Sequence, residues 1–361
     1  MSEARAILAE AVTRLLTDHV TKDVLESAEK GQWPAALWQA LEESGLTLPL
    51  VPEARGGAGG SWGDAHVLLT AAGRFAAPVP LAETIVASWL LAEAGLEVPL
   101  GPLAIAPVQR GDVLRLERAG GGWRLGGSAG RVPWGGGAGH LVVVAAHDGR
   151  AGSEPPMIAL VAAGQAQVTT DVNLALEPRD TLVFDGAPVL AAAPAPARIP
   201  GDVLWLYGAL ARSAQMAGGL ESLLAQTVGY AGERKQFGKP IGSFQAIQWQ
   251  CAILGEQTAA AATAAAQAFR AAEQAADAGE AAFEIAVAKS RVGEAAGLGA
   301  GIAHQIHGAI GFTYEHSLHF VTRRLWAWRA EFGGESHWAE RLGREAVSRG
   351  ADLLWPYITS R

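Results

Sequence analysis

The stretch GERKQFGKPIGSFQAIQ, from Gly232 to Gln248, sets Arg234, Gln236 and Phe237 against a Gly-Lys-Pro turn, between two long segments that both read as helix. A turn at this point needs Gly238, which can take the left-handed conformation that ends a helix, and Pro240, which cannot continue one. It does not need a guanidinium, a carboxamide and a phenyl ring beside them. An arginine at a helix end ordinarily answers the helix dipole, so the cation alone carries little weight. A second polar concentration, QIHGAIGFTYEHSLHFVTRR, runs from Gln305 to Arg324. His304 with His307, and His316 with His319, have the i, i+3 spacing that puts two imidazoles on one helix face. A metal in a bundle core also needs inward carboxylates and Glu-x-x-His repeats, which are missing here, so no metal is expected.

These residues need elements to hold them. The chain has 361 residues, enough for two or three domains, because single cores stop growing at roughly 250–300 residues. Its net charge of −8 and the lack of any basic run argue against a nucleic-acid or anionic-membrane partner. The lone Cys251 allows no internal disulfide and fits a reducing cytoplasm. The first twenty or so residues show neither a basic start nor an apolar block, so no signal peptide is expected, and no apolar run is long enough to span a bilayer.

Apolar residues recur at helical spacing through ALWQALEESG, DAHVLLTAAGRF and LAETIVASWLLAEAG, which predicts a domain of short helices over residues 1–101. Alternating and β-branched runs come next (VLRLERAGGGWRLGG, HLVVVAAHD, MIALVAAG, QVTTDV and DTLVFDG), predicting a mostly antiparallel β domain over 102–200. The run APVLAAAPAPARIPGD reads as a linker, with Asp202 as the N-cap of the next helix. Long alanine-rich helices with short connections then predict a four-helix bundle over 201–361. The fold class is therefore α+β, mainly α.

With that order of domains, YAGERKQFGKPIGSFQAIQ and QIHGAIGFTYEHSLHF together resemble the acyl-CoA dehydrogenase flavoprotein family. Its members carry an Arg-x-Gln-Phe-Gly-x-Pro-Ile signature and a later Gln-Ile-His-Gly-Gly-x-Gly-Phe-Thr signature. The resemblance spans the chain in domain order, and its specificity lies in the C-terminal third. It implies FAD as cofactor, an acyl-CoA thioester as substrate and an external electron acceptor. By that resemblance Arg234 would meet the pyrophosphate, whose oxygens an arginine fork fits. Phe237 would cover the adenine, Gln236 would supply amide hydrogen bonds, and Phe244 would close the wall. Gln305 would bond the pyrophosphate or ribose region, Ile306 would touch the cofactor, and Gly308 and Ala309 would let backbone approach it. Ala309 stands where the family has a second glycine.

The family's chemistry requires a carboxylate that removes the α-proton while the β-hydrogen leaves as hydride. Members place this glutamate in a Glu-Gly-Thr turn, where this chain has Phe332 before Gly333, or on the first bundle helix, where it has Gly208. Glu331 and Glu335 flank the turn and are the only substitutes at hand. The family's Thr-Glu-Pro-x-x-Gly-Ser-Asp loop is reduced to AIAPVQRGD, which keeps Pro107, and its Trp-Ile-Ser/Thr segment to GRVPWGGG, with Trp134 in a shifted register. No catalytic residue is therefore assigned. The expectation is a catalytically incomplete subunit paired with a glutamate-bearing relative and serving a bulky thioester such as a sterol side chain. The rival is a self-sufficient homo-oligomer using Glu331 or Glu335. A non-enzymatic helical binding or scaffold protein would leave both signatures as accidents.

Overall fold

The computed structural model describes residues 2–147 and 155–361. Five helices come first: α1 (Glu3–His19), α2 (Lys22–Glu29), α3 (Ala35–Glu43), α4 (Trp62–Arg74) and α5 (Leu81–Glu93). Side-chain oxygens fix the starts of α1 and α2, where Ser2 accepts from Arg5 N and Thr21 from Val24 N. Ser61 and Asp64 form a capping box on α4, and Arg5 joins it, with its Nε 3.0 Å from Asp64 and its Nη2 2.5 Å from Glu273. Most of α5 is buried on all sides, Glu83 included.

The sheet comes next: β1 (Leu103–Ala106), β2 (Val113–Ala119), β3 (Gly122–Pro133), β4 (His140–His147), β5 (Met157–Ala162), β6 (Gln167–Thr169), β7 (Arg179–Pro188) and β8 (Ala191–Pro194). Their order is β6-β7-β3-β2-β4-β5-β8, with β1 on β4. Pairing is mostly antiparallel, but β1 and β2 both run parallel to β4. The alanine-proline run expected to be a linker instead supplies β8, with Met157 opposite Pro194 and Leu160 opposite Ala191 on β5. An edge strand tolerates proline because its outward N–H has no ladder partner to lose.

The remaining helices are α6 (Val203–Glu233), α7 (Gln245–Gln274), α8 (Ala282–His307), α9 (Leu318–Ala330), α10 (Glu335–Arg349) and α11 (Ala351–Thr359). Asp202 stands at the N-cap of α6 without capping it; its carboxylate lies 3.4 Å from Arg341 instead. α4 and α6 meet backbone to backbone. A Cβ on Gly73 would fall 1.9 Å from Gln215 O, and one on Gly218 would fall 1.9 Å from Thr70 O, so only glycine allows the crossing. This contact ties the N-terminal helices to the bundle and fixes α6, the helix from which both parts of the site are hung.

Candidate functional site

α6 leaves helical geometry at Arg234, whose φ and ψ are −68° and 120°. The helix thus stops before Gly238, which works in a different device. Lys235–Gln236 (β9) and Lys239–Pro240 (β10) pair as a hairpin. Its two loop residues, Phe237 and Gly238, have φ of 53° and 80°. Two positive φ values mark a mirror-image turn that suits glycine; a phenylalanine held there is strained. Phe237 is also 92% exposed. Its ring stands edge-on to Phe244, with centroids 6.1 Å apart, and Lys239 Nζ lies 4.5 Å from the Phe244 ring centre. Arg234 and Gln236 are exposed beside it.

The second motif closes α8. Gln305 is exposed on its last turn, whereas Ile306 is 6% exposed and packs inward, leaving its backbone rather than its side chain for a ligand. The helix ends at Gly308, with φ 64° and ψ −144°, and Gly308 and Ala309 lie on the surface. The His307 ring stacks on Tyr230 at 4.4 Å. Tyr230 precedes Arg234 by about one turn, so the ends of α6 and α8, and with them both motifs, sit at the same end of the bundle. The paired histidines pack as aromatic rings. His304 lies between Phe312 and Trp326, with its Nε2 2.8 Å from Thr322 Oγ1, and burial pushes all four imidazoles below the usual histidine range. Among the described residues no three metal-ligating side chains converge.

Beneath this end, the turn after α9 carries Glu331, Phe332 and Gly333. Lys289 holds it from α8, donating to Arg329 O at 2.8 Å and to Gly333 O at 2.7 Å, while Trp338 Nε1 donates to Phe332 O at 3.0 Å. Phe332 is 3% exposed, with φ 52°. A Cβ built on Gly208 would lie 2.4 Å from two of its ring carbons. The two sequence positions that might carry a base are therefore one place in space, and a phenyl ring fills it. A void of about 160 Å³ remains between Glu83, Gly208, Arg212 and Phe332, too narrow to admit a water.

Neither flanking carboxylate is free. Glu331 Oε1 accepts from Arg179 Nε at 2.7 Å and its Oε2 from Arg212 Nε at 2.8 Å. Burial alone would raise its pKa, but the two guanidiniums outweigh burial and hold it at about 2. The network extends to Glu83 on Arg212 (2.5 Å), to Glu177 on Arg179 (3.0 Å), and to Arg324, whose Nε lies 3.0 Å from Glu177 off hydrogen-bond alignment. Three buried carboxylates thus face three buried guanidiniums. Glu335 receives Arg329 Nε at 2.7 Å, which holds it below the usual range despite partial burial. Trp134 is buried, with its ring 6.0 Å from Trp33, and is not presented to a cleft.

Sequence reasoning missed this network. The one local signal was Arg212, a cation in the otherwise small and apolar stretch YGALARSAQMAGG; a charge in a fully buried helix demands a partner.

Comparison with known proteins decides the family. The acyl-CoA dehydrogenase N-terminal domain model matches residues 2–98, and the C-terminal domain model matches residues 206–337. Acyl-CoA dehydrogenase FadE27 of Mycobacterium tuberculosis is 32% identical, over 87% of this chain and 89% of its own length. The chain belongs to the acyl-CoA dehydrogenase family. Among solved structures, a chain of the ChsE4-ChsE5 complex from Mycobacterium tuberculosis superimposes with a TM-score of 0.87 at 27% identity, covering 97% of this chain and 99% of that one. The Tcur3481-Tcur3483 steroid acyl-CoA dehydrogenase, in a G363A variant, gives a TM-score of 0.83 at 29% identity, covering 95% and 97%. Acyl-CoA dehydrogenases are FAD-dependent oxidoreductases, and this chain shares their helix, sheet and helix order. No helix among the described residues is long and apolar enough to cross a membrane.

Proposed function

We propose that this chain is the catalytically incomplete subunit of a hetero-oligomeric acyl-CoA dehydrogenase, completing the FAD site of a related glutamate-bearing subunit. The observation that carries this reading is Phe332, whose ring fills the one place where either family position would put the base. The opposite end of the bundle supports it. Phe237 is strained and almost wholly exposed, two costs that bring no gain within this chain and make sense if its ring covers an aromatic ligand face. Arg234, Gln236, Phe244 and Gln305 supply the fork, the amides and the wall that the pyrophosphate and adenine end of FAD needs. Gly308 and Ala309 allow close backbone approach, and Ile306 contributes its backbone. These residues fit that end of the cofactor, whereas the filled pocket does not fit a thioester. When bound, FAD supplies the hydride acceptor; the part of this chain is to hold and orient.

The self-sufficient alternative fails on Glu331 and Glu335. A carboxylate held at about 2 by two guanidiniums is too weak a base for an α-proton, and both of its oxygens are engaged. Glu335 is tied to Arg329 and also held below the usual range. Similarity to chains of the ChsE4-ChsE5 complex and of a steroid acyl-CoA dehydrogenase supports a two-chain assembly acting on a bulky acyl-CoA thioester.

The test is dye reduction with short-chain, long-chain and steroid-side-chain acyl-CoA thioesters. Loss of a positioned base lowers rates by about 10²–10⁴-fold, so the chain alone should be nearly silent, and co-expression with a glutamate-bearing relative should restore turnover. Ordinary turnover by the isolated chain would overturn the reading.

A further inference from the structure

The β1–β2 loop, the first turn of α6 and the start of α10 enclose an open cleft of about 450 Å³, a volume typical of small-molecule sites. Its floor holds a proton conflict. His337 faces two donors: Trp205 Nε1 lies 3.4 Å from its Nε2, and Arg110 Nη1 lies 3.3 Å from its Nδ1. A neutral imidazole has one acceptor nitrogen, and an imidazolium has none. Burial, with Arg110 and Arg341 nearby, pushes His337 below the usual range, so it is neutral at pH 7. One of the two donors therefore always lacks an acceptor.

The other charges in the cleft are already answered. Arg341 meets Asp202 at 3.4 Å, Arg344 pairs with Glu340, and Asp112 Oδ2 accepts from Gly130 N at 3.0 Å. Arg110 is exposed, and among the described residues no carboxylate lies within ion-pair distance of it. Its guanidinium carbon is 5.9 Å from the centre of the Trp205 ring, which in turn stands edge-on to Phe332 at 6.3 Å. The cleft thus offers one uncompensated cation, one unmet donor and a flat apolar wall, and Phe332 separates it from the filled base position.

We propose that this cleft binds a small organic oxyanion, a carboxylate or phosphate ester on a flat apolar body. Arg110 turns its fork from His337 to the anion. His337 then accepts from Trp205 at Nε2 and donates Nδ1–H to the same anion, which resolves the conflict, while the body lies against Trp205. This site is independent of the incomplete-subunit reading, because none of its three principal residues belongs to the flavin motifs or to the turn at Phe332.

The test is calorimetric titration of the full chain with benzoate, phenyl phosphate and neutral benzamide near pH 7.5. Saturable binding of benzoate or phenyl phosphate is expected, whichever is tighter identifying the headgroup, with benzamide at least about tenfold weaker. R110Q should weaken the anion about tenfold or more, as loss of hydrogen bonds to a charged group does, and R110K should lie between the two. Arg110 is exposed, so neither substitution threatens folding. Nitrogen-15 NMR should show His337 passing to the Nδ1–H tautomer on saturation. Failure of both anions to saturate, equal binding of benzamide, or unchanged affinity in R110Q overturns the proposal. Displacement of the probe by butyryl-CoA or FAD at lower concentration also overturns it, because the cleft would then be an ordinary family ligand site.

Discussion

Arg212 makes two ion pairs from the middle of α6, with Glu83 at 2.5 Å and Glu331 at 2.8 Å, while being almost completely buried. Such a pair adds little over an apolar core, but removing one partner leaves an uncompensated buried charge, typically at about 3–5 kcal/mol. Glu331→Gln should therefore lower stability by about that amount in urea titration, because Arg179 and Arg212 both lose their carboxylate. Glu335→Gln, whose pair with Arg329 is part-exposed, should cost less than about 1 kcal/mol. A loss of under 1 kcal/mol in the first variant would show that the network does not hold the turn. The pH dependence has a definite sign. Glu331 is depressed to about 2 in the fold, so its contribution is complete above the ordinary carboxylate value of about 4.3 and disappears as pH falls from there through 2.

Elements divide into those that local sequence dictates and those that pairing dictates. The long helices were legible because alanine-rich apolar periodicity and short loops leave few alternatives, and α7 and α8 lie within a few residues of their expected limits. β8 was not legible, because AAAP has no strand chemistry of its own and becomes a strand only against β5. The hairpin at Phe237 escaped for a related reason: a phenylalanine at positive φ contradicts local preference, and only the β9–β10 pairing reveals it. Lys289 is another tertiary fact, a lysine on α8 sealed beneath the Phe332 turn. Burial lowers its pKa to about 7, with Glu335 and Glu331 opposing only in part. The unfolded chain keeps this proton up to about pH 10.4, so between pH 7 and 10 the unfolded state binds more protons and stability should rise with pH, by at most about 1.4 kcal/mol per unit. Denaturant midpoints across that range measure it. Lys289→Met should flatten the slope; an unchanged slope would mean that the amine is not the titrating group.

At the scale of the molecule, the candidate site was half legible. Two signatures pointed to the adenine end of a flavin, and the missing glutamate was visible as Phe332, but that Gly208 and Phe332 share one point in space required the fold. The same fold leaves large apolar side chains uncovered on the C-terminal helices and around both motifs: Phe237, Trp249 at 66% exposure, Phe312 at 64% and Tyr314 at 52%. A monomer gains nothing from exposing these, and motifs that complete a neighbour's site are useless without one. The assembly with a glutamate-bearing partner should therefore bury more than about 2,000 Å² in total, the range of obligate interfaces. Phe237→Gly separates this role from folding. Glycine accepts the positive φ that strains phenylalanine, and the ring makes little contact within the chain, so the isolated variant should keep its urea midpoint or gain slightly. In the assembly the adenine would lose its cover, and bound flavin after gel filtration should fall about tenfold or more, as loss of a stacking aromatic implies. A monodisperse monomer that retains flavin at micromolar concentration, or a Phe237→Gly assembly with full flavin occupancy, would refute a site shared between chains.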